Sequence, residues 1–350
     1  MQKLTAAVIG ASGYVGGEIV RLLLGHPNLE IKFATSENFA GKAIGKVHPN
    51  LRGATDLKFS KISEVEEGLP AGRQVDVLFS CLPHGALATR ISALEKLGDI
   101  IIDSSADFRF RKKEDFTKWY PDAPVAEGME KWVYGLPEIH REEIKKSKRI
   151  AVPGCTATSA ILAMLPLLGI VDTSKIIFDL KVASSGSGNK PSIGSHHPER
   201  AGVLRSYKLS GHRHTGEAIQ ELHLPNVPGY SITSTPEVRG IVCHAHAFLT
   251  APISDKDIWK LFREKYSNEP FVRVVKEISG IHSLPEPKIL SGTNFCDVGW
   301  QLDENSNQII AVAALDNLGK GAAGAAIQNA NLACGFAEKA GLEFLGLHPL

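Results

Sequence analysis

No charge of one sign dominates this chain. Its 39 Lys and Arg stand against 38 Asp and Glu, a formal net charge of +1. A general nucleic-acid binder carries a basic excess, so no nucleic-acid partner is expected, while a local basic pocket for a small anion stays open. No CxxC pair occurs, and the five cysteines (81, 155, 243, 296 and 334) are odd in number and scattered. Neither a disulfide framework nor a zinc-finger pattern fits, and a reducing, cytoplasmic compartment is expected. No run of about 18 apolar residues is present, which argues against a membrane span. The opening MQKLTAAVIGASGYVGG lacks the apolar core and cleavage site of a signal peptide. Internal repeats and low-complexity linkers are lacking too. What remains is an average globular composition, 43% hydrophobic and 22% charged, which excludes disorder, collagen and coiled coil. A length of 350 residues predicts about two domains.

In the first ~150 residues, short apolar runs alternate with helical spacing, a size ordinary for one domain. Thr5–Gly10 reads as a buried strand, Gly13–Leu24 as a helix and Leu29–Thr35 as a second strand. Val75–Leu82 and Asp99–Ser104 are further strands bounded by turn residues. Strand–helix alternation predicts βαβ units and a doubly wound parallel sheet of dinucleotide-binding type. Further on, Lys175–Ser184, Ser231–Pro236, Gly240–Thr250, Val298–Leu302 and Ile309–Ala314 read as strands with few helices between them. They predict a mixed or antiparallel sheet, with one face free for dimerisation. Asn317–Ala340 reads as a closing helix. The segment Gly186–Arg213 is long and weakly periodic, as functional loops often are.

Gly10-Ala11-Ser12-Gly13-Tyr14-Val15-Gly16 lies between the first strand and its helix. Glycines there permit a tight turn and close approach of a pyrophosphate, and the helix N-terminus offers it free N–H groups. The spacing is GxxGxxG rather than GxGxxG, so the strand–turn–helix context carries the reading. Glu37, about 20 residues on, is placed to bind the ribose 2′-OH of NAD. Thr35, Ser36 and Lys42 are the alternative, a 2′-phosphate site.

Val152-Pro153-Gly154-Cys155-Thr156 is a tight turn ahead of helical spacing over Ala157–Leu168. Cys155 therefore sits at a helix N-terminus, where the dipole favours the nucleophilic thiolate. The other four cysteines read as core residues. His196, His197, Arg200, His212, Arg213 and His214 concentrate in two stretches. Histidine exchanges protons near neutral pH, and arginine holds phosphate through a planar fork. The pairs His212/His214 and His244/His246 lack nearby Cys or carboxylate partners at metal-site spacing, so no metal is expected. Arg109 follows a strand of the first domain, at the end where ligands bind such sheets. A thiol nucleophile together with a nicotinamide points to aldehyde-level redox through a thioester.

The stretches GASGYVGGE, DSSADFR, YGLPE, VPGCTATSAILAMLPLL, GHRHTGE and DNLGKGAAGAAIQNANL resemble, nearly end to end, the N-acetyl-γ-glutamyl-phosphate reductases of the aspartate-semialdehyde dehydrogenase superfamily. VHPNLRG, SHHPERAGVLRSYK, EPFVRVV and GLEFLGLHP are more similar to the lysine-pathway branch, the aminoadipyl-phosphate reductases, whose substrate rides on a small acidic amino-group carrier protein. The resemblance implies a Rossmann NAD(P)-binding domain over residues 1–154, completed by 317–350, and an α+β mixed-sheet catalytic and dimerisation domain over 155–316. It implies Cys155 as nucleophile and His214 as acid/base, with His212 as the rival. It also implies phosphate and substrate contacts at Ser104, Arg109, Ser184, Gly186, Arg200 and His212. NADPH is implied at Gly10, Ala11, Ser12, Gly13, Tyr14, Val15, Gly16, Thr35, Ser36 and Asn317. The implied reaction is NADPH-dependent reduction of N-acetyl-γ-glutamyl phosphate in arginine biosynthesis. The alternative is the same chemistry on a carrier-bound aminoadipyl or glutamyl phosphate, by a homodimer or homotetramer in either case. Two departures from the arginine-branch pattern stand out. Ser184-Ser185-Gly186-Ser187-Gly188-Asn189-Lys190 replaces its SGxSGAGR loop, and Glu37-Asn38 stands where many relatives carry Arg.

Overall fold

The computed structural model describes residues 2–68 and 75–350. The chain packs as two compact units. One holds the residues up to Pro153 together with Ala322–Glu343; the other holds Gly154–Gly321 with Phe344–Leu350.

In the first unit, seven strands form one parallel sheet. They are β1 (Leu4–Ile9), β2 (Leu29–Thr35), β3 (Phe59–Ser60), β4 (Val75–Ser80), β5 (Gly98–Asp103), β6 (Val133–Tyr134) and β7 (Arg149–Ala151). Their order is β3-β2-β1-β4-β5-β7-β6. Ala6–Ile9 and Val77–Ser80 are buried without alternation, because a parallel sheet is covered on both faces. The strand order reverses between β1 and β4, and such switch points form ligand crevices. This is a Rossmann-type sheet.

The helix Gly324–Ala333 belongs to this unit and packs on β5 and on the helices Tyr14–Leu24 and Pro137–Ile144. The expected single helix over Asn317–Ala340 is shorter in the structure. Gly319–Ala323 forms a π turn before it. Gly335, at φ +71°, ends it: Gly335 N–H donates to Leu332 O at 3.2 Å and Phe336 N–H to Asn331 O at 2.8 Å. That is a Schellman stop, and it overrides the helical spacing beyond it.

The second unit is a mixed sheet of β8 (Ile177–Val182), β9 (Arg205–Lys208), β10 (Gly229–Ser234), β11 (Ile241–Phe248), β12 (Val272–Val274), β13 (Cys296–Asp303) and β14 (Gln308–Leu315), in the order β12-β13-β14-β11-β8-β10-β9. β12–β13 and β8–β10 pair in parallel, and the other pairs are antiparallel. β11 alternates: Ile241, Cys243, Ala245 and Ala247 are buried, while His244 and His246 point to the other, half-exposed face. The helix Cys155–Met164 lies against β11 and β14. Nine of its ten residues are buried, so its apolar positions encircle it rather than forming one stripe.

The sequence reading missed the helix Asp255–Tyr266, although its signals are present. Ser254 Oγ accepts from Asp257 N–H at 3.2 Å as an N-cap, and Ile258, Phe262 and Tyr266 are buried at a four-residue spacing. The segment 186–213, read as a loop, contains the short helix His197–Arg200 and the exposed edge strand β9.

Candidate active site

Two groups of side chains carry the chemistry, one in each unit. In the first unit, Gly10 follows β1 at φ +78°, and a Cβ there would stand 2.8 Å from Cys81 O. Backbone conformation and space both require glycine. The helix Tyr14–Leu24 starts at Gly13 with no side-chain cap, and its first ladder bond runs from Gly17 N–H to Gly13 O at 2.9 Å. The amides of Tyr14, Val15 and Gly16 therefore precede the ladder, as an anion-binding helix start requires.

The end of β2 is stitched to this loop. Thr35 Oγ1 accepts from Gly10 N–H at 3.1 Å, Thr35 O accepts from Ala11 N–H at 2.8 Å, and Ser36 Oγ donates to Ser12 Oγ at 2.8 Å. His48, which the sequence reading did not single out, donates from Nε2 to Ala11 O at 2.8 Å. Glu37 makes a contact within its own unit. Its Oε1 accepts from Ile62 N–H at 3.1 Å, at the start of the helix Ile62–Gly68, where a carboxylate favours the positive end of the dipole. Lys42 lies over the Phe39 ring.

After β5, Asp103 accepts from the backbone and hydroxyl of Ser105. Burial pushes its carboxyl up to about 6, and Asp107 adds to the shift. Asp107 in turn accepts from Gly85 N–H at 2.6 Å and Ala88 N–H at 2.9 Å, while His84 Nδ1 accepts from Ala106 N–H at 3.0 Å. This Pro83-His84-Gly85 turn was also missed; its signal was a turn tripeptide just past a buried strand. Arg109 is buried, donating to Val152 O at 2.8 Å and to Ser104 O at 3.0 Å. Ser104 N–H donates to Ser80 O at 2.8 Å.

In the second unit, Cys155 is the first residue of its helix and Gly154 the N-cap. The first ladder bond is Thr158 N–H to Gly154 O at 2.9 Å, so the amides of Thr156 and Ala157 lie ahead of it. His214 lies directly over Gly154: a Cβ there would meet its Nε2 at 2.5 Å and its Cδ2 and Cε1 at 2.6 Å. His214 Nδ1 is 2.6 Å from Thr156 Oγ1, and on its other side Thr156 Oγ1 accepts from Tyr230 OH at 3.0 Å. Glu217, fully buried, accepts from Gly154 N–H at 2.8 Å, and its other oxygen lies 3.9 Å from His214 Nε2.

His212 is placed differently from His214. Its Nδ1 accepts from the backbone N–H of His214 at 3.2 Å, and its ring stacks on Tyr230. Burial, aided by Arg213 and Lys208, pushes it down to about 4, so it is neutral at physiological pH. Burial pushes Cys81 and Cys334 up to about 12 and raises Cys243 as well, which keeps them protonated and unreactive.

Ser184 donates from both N–H and Oγ to Glu237 O, and Gly186 shares its turn. Asn317 ties two loops together through its amide. Its Nδ2 donates to Ser185 Oγ and its Oδ1 accepts from Gly240 N–H, both at 2.8 Å. Arg200 donates to Ser234 Oγ at 2.6 Å and to Thr235 O, at the end of β10. Among the described residues, no group of three His, Cys, Asp or Glu side chains is placed to hold a metal ion. No helix among them is long and apolar enough to cross a membrane.

Residues 5–147 match the family model of the semialdehyde dehydrogenase NAD-binding domain, and residues 155–317 that of the semialdehyde dehydrogenase dimerisation domain. The chain is 49% identical, over 99% of both chains, to the LysW-L-2-aminoadipate 6-phosphate reductase of Deinococcus radiodurans. It is 42% identical, again over 99% of both, to the LysW-L-2-aminoadipate/LysW-L-glutamate phosphate reductase of Saccharolobus solfataricus. The chain belongs to the semialdehyde dehydrogenase family, in the branch of these phosphate reductases. The reductase is thus an NAD(P)-dependent, aldehyde-forming oxidoreductase. It shares its fold with aspartate semialdehyde dehydrogenase II of Vibrio cholerae, complexed with ASA, at a TM-score of 0.70 and 17% identity, covering 95% of this chain and 98% of that one. The Candida albicans enzyme with NADP gives a TM-score of 0.64 at 17% identity, over 95% and 98%.

Proposed function

We propose that the reductase acts on the acyl phosphate of a 2-aminoadipyl chain, or its shorter glutamyl counterpart, whose amino group is attached to a small acidic carrier protein. The products are the carrier-bound semialdehyde and phosphate, in lysine or arginine biosynthesis. The observation that carries this reading is the end-to-end similarity to LysW-linked reductases at 49% and 42% identity. It favours the carrier-linked substrate over N-acetyl-γ-glutamyl phosphate, the first expectation from the sequence. Lys190 and Arg205, both exposed, are candidate contacts for an acidic carrier. A homo-oligomer, dimer or tetramer, is supported by the matched dimerisation domain and by the half-exposed sheet face that carries His244 and His246.

In this mechanism the Cys155 thiolate attacks the acyl carbon, phosphate leaves, and a thioester remains on Sγ. NADPH bound at the glycine loop supplies the hydride. The free amides at the loop's helix start fit a pyrophosphate, and the Ser12–Ser36 hydroxyl pair, with Glu37 held on Ile62, suits a 2′-phosphate. The amides of Thr156 and Ala157 are donors for the developing oxyanion. His214 gives that oxygen its proton, forming a thiohemiacetal, and takes the proton back as the aldehyde leaves and the thiolate re-forms. His214 is preferred to His212 because His212 Nδ1 is occupied by a backbone N–H and its ring stays neutral. Ser104 and Arg109 are proposed as phosphate contacts on the strength of the resemblance, with Ser184, Gly186 and Arg200 on the substrate side.

The test is oxidation of the carrier-bound aminoadipate semialdehyde with phosphate and NADP⁺, beside N-acetylglutamate semialdehyde. Phosphate-dependent NADPH formation with the first, lost in Cys155→Ser, is expected. Faster turnover of the N-acetyl substrate would overturn the carrier reading, and a fully active serine variant would overturn the thioester route.

A further inference from the structure

The hydrogen-bonded chain Tyr230–Thr156–His214 does more than fill space. Each polar atom in it has few partners. Tyr230 and Thr156 are 2% exposed, so neither hydroxyl is satisfied by bulk water. Tyr230 OH lies 3.0 Å from Thr156 Oγ1, and Thr156 Oγ1 lies 2.6 Å from His214 Nδ1. Two gaps hold two hydroxyl protons. Thr156 Oγ1 has lone pairs for both neighbours, but if it accepted from both, its own proton would have no partner among the described residues; with the phenol donating to it, the threonine proton therefore falls in the second gap and Nδ1 presents a lone pair. In the reverse order Nδ1–H donates to Thr156 and Thr156 to Tyr230. The Tyr230 ring packs against Phe178 and His212, and its phenol proton then has no hydrogen-bond acceptor among the described residues, which is costly. Burial also keeps the phenol protonated, raising it well above its ordinary value, so Tyr230 is a permanent donor.

We propose that Thr156 and Tyr230 are positioning residues that hold His214 with its Nδ1 unprotonated, so that its resting proton sits on Nε2 and proton traffic runs through that nitrogen. The acid form is the imidazolium, which takes its second proton from solvent on Nδ1 while Thr156 turns its own hydroxyl proton away; when Nε2 then gives its proton to the substrate oxygen, the ring is left in the disfavoured Nδ1–H form. Return of the proton to Nε2 is thereby favoured, as release of the aldehyde requires. Two titratable groups that face the ring are Glu217, 3.9 Å from Nε2, and His212, whose ring centre is 4.8 Å away. Glu217 stabilises a proton on Nε2, and neutral His212 opposes nothing.

The consequence for turnover rests on the reading of His214 as acid/base, but the tautomer does not, and the test separates the two. Nitrogen NMR of the full-length enzyme labelled at histidine, without substrate, reports which ring nitrogen carries the proton, and His214→Asn identifies the signal. The wild type is expected to show the Nε2–H form, Thr156→Ser to keep it, and Thr156→Val and Tyr230→Phe to mix the two forms. A wild-type signal from Nδ1–H, or a Thr156→Val spectrum like the wild type, overturns the proposal. In turnover, Thr156→Val should lower kcat by about 10- to 100-fold, part of a general acid–base contribution, while Thr156→Ser stays within about threefold. If the tautomer shifts as expected but kcat does not fall, the acid/base assignment of His214 fails and the tautomer lock stands. If Thr156→Val does not fold, Thr156→Ser and Tyr230→Phe still decide the question.

Discussion

Gly154→Ala puts a single methyl group against the imidazole of His214, the proposed acid/base. The backbone tolerates it, since Gly154 has φ −66° and ψ 139°, an extended conformation open to any L-residue. The conflict is with the ring: the new Cβ would stand 2.5 Å from His214 Nε2 and 2.6 Å from two ring carbons, whereas ordinary contact begins near 3.4 Å. The imidazole must retreat by about 1 Å, and a displacement of that size costs on the order of 100-fold in rate. It cannot retreat freely, because Thr156 holds Nδ1 at 2.6 Å. Overpacking of this kind also costs ~1–3 kcal/mol of stability. Gly169→Ala is the control, with no atom within 4 Å of its added Cβ and an expected stability change within about 0.5 kcal/mol. The assay is kcat for phosphate-dependent oxidation of the semialdehyde with NADP⁺, paired with a thermal melt at one protein concentration. Wild-type kcat in a folded Gly154→Ala enzyme would refute the argument that the ring position over Gly154 matters to catalysis.

Three further predictions come from other parts of the two units. At neutral pH iodoacetamide should label Cys155 first, since Cys81 and Cys334 are held near 12 by burial; mass spectrometry showing either at a comparable rate would contradict this. Glu217→Ala strands the buried N–H of Gly154 and should cost ~1–3 kcal/mol, read as a lower melting temperature; an unchanged melt would remove Glu217 from the support of the nucleophile turn. Asp103 is raised from 3.8 to about 6, so the folded chain binds the extra proton between those values. The stability this group contributes is fully present below pH 3.8 and is lost as pH rises through 6, by about 3 kcal/mol at most. Asp103→Asn should flatten that part of the stability–pH curve in denaturant titrations, and an unaltered slope would show that burial does not raise the carboxyl.

The elements read correctly from sequence were those whose signals are local. β1, the glycine turn and the helix Tyr14–Leu24 succeed one another within some twenty residues, and both periodicities are unbroken there. The Cys155 helix announced itself in the same way, through Pro153-Gly154 ahead of apolar spacing. Local signals also misled. Alanine-rich spacing continues past Gly335, but the positive φ of that residue stops the helix. Glu37 also makes a contact that its distance along the chain does not announce: the two-residue strand β3 brings Ile62 N–H within reach of its carboxylate. β9 is polar, exposed and without alternation, so nothing in its four residues separates it from a loop until it pairs with β10.

The site residues that escaped sequence reading share one property: each acts on a residue far along the chain. Thr156 meets His214 across 58 positions, Tyr230 meets Thr156 across 74, and Glu217 meets Gly154 across 63. No spacing rule links them; the packing of the helices Cys155–Met164 and Thr215–Leu222 brings His214 and Glu217 to the Cys155 turn, and β10 brings Tyr230. The three consecutive residues Gly154, Cys155 and Thr156 then divide the work. Glycine leaves room for the imidazole, cysteine takes the first helical position where an anion is favoured, and threonine fixes the ring's orientation from the next. Cys155 and the His214 ring, the proposed nucleophile and acid/base, thus both meet one helix start, the first as its first residue and the second through contacts with Gly154 and Thr156. Such a start is rigid because its amides feed directly into a buried helix, and rigidity there is what proton transfer at a defined nitrogen requires.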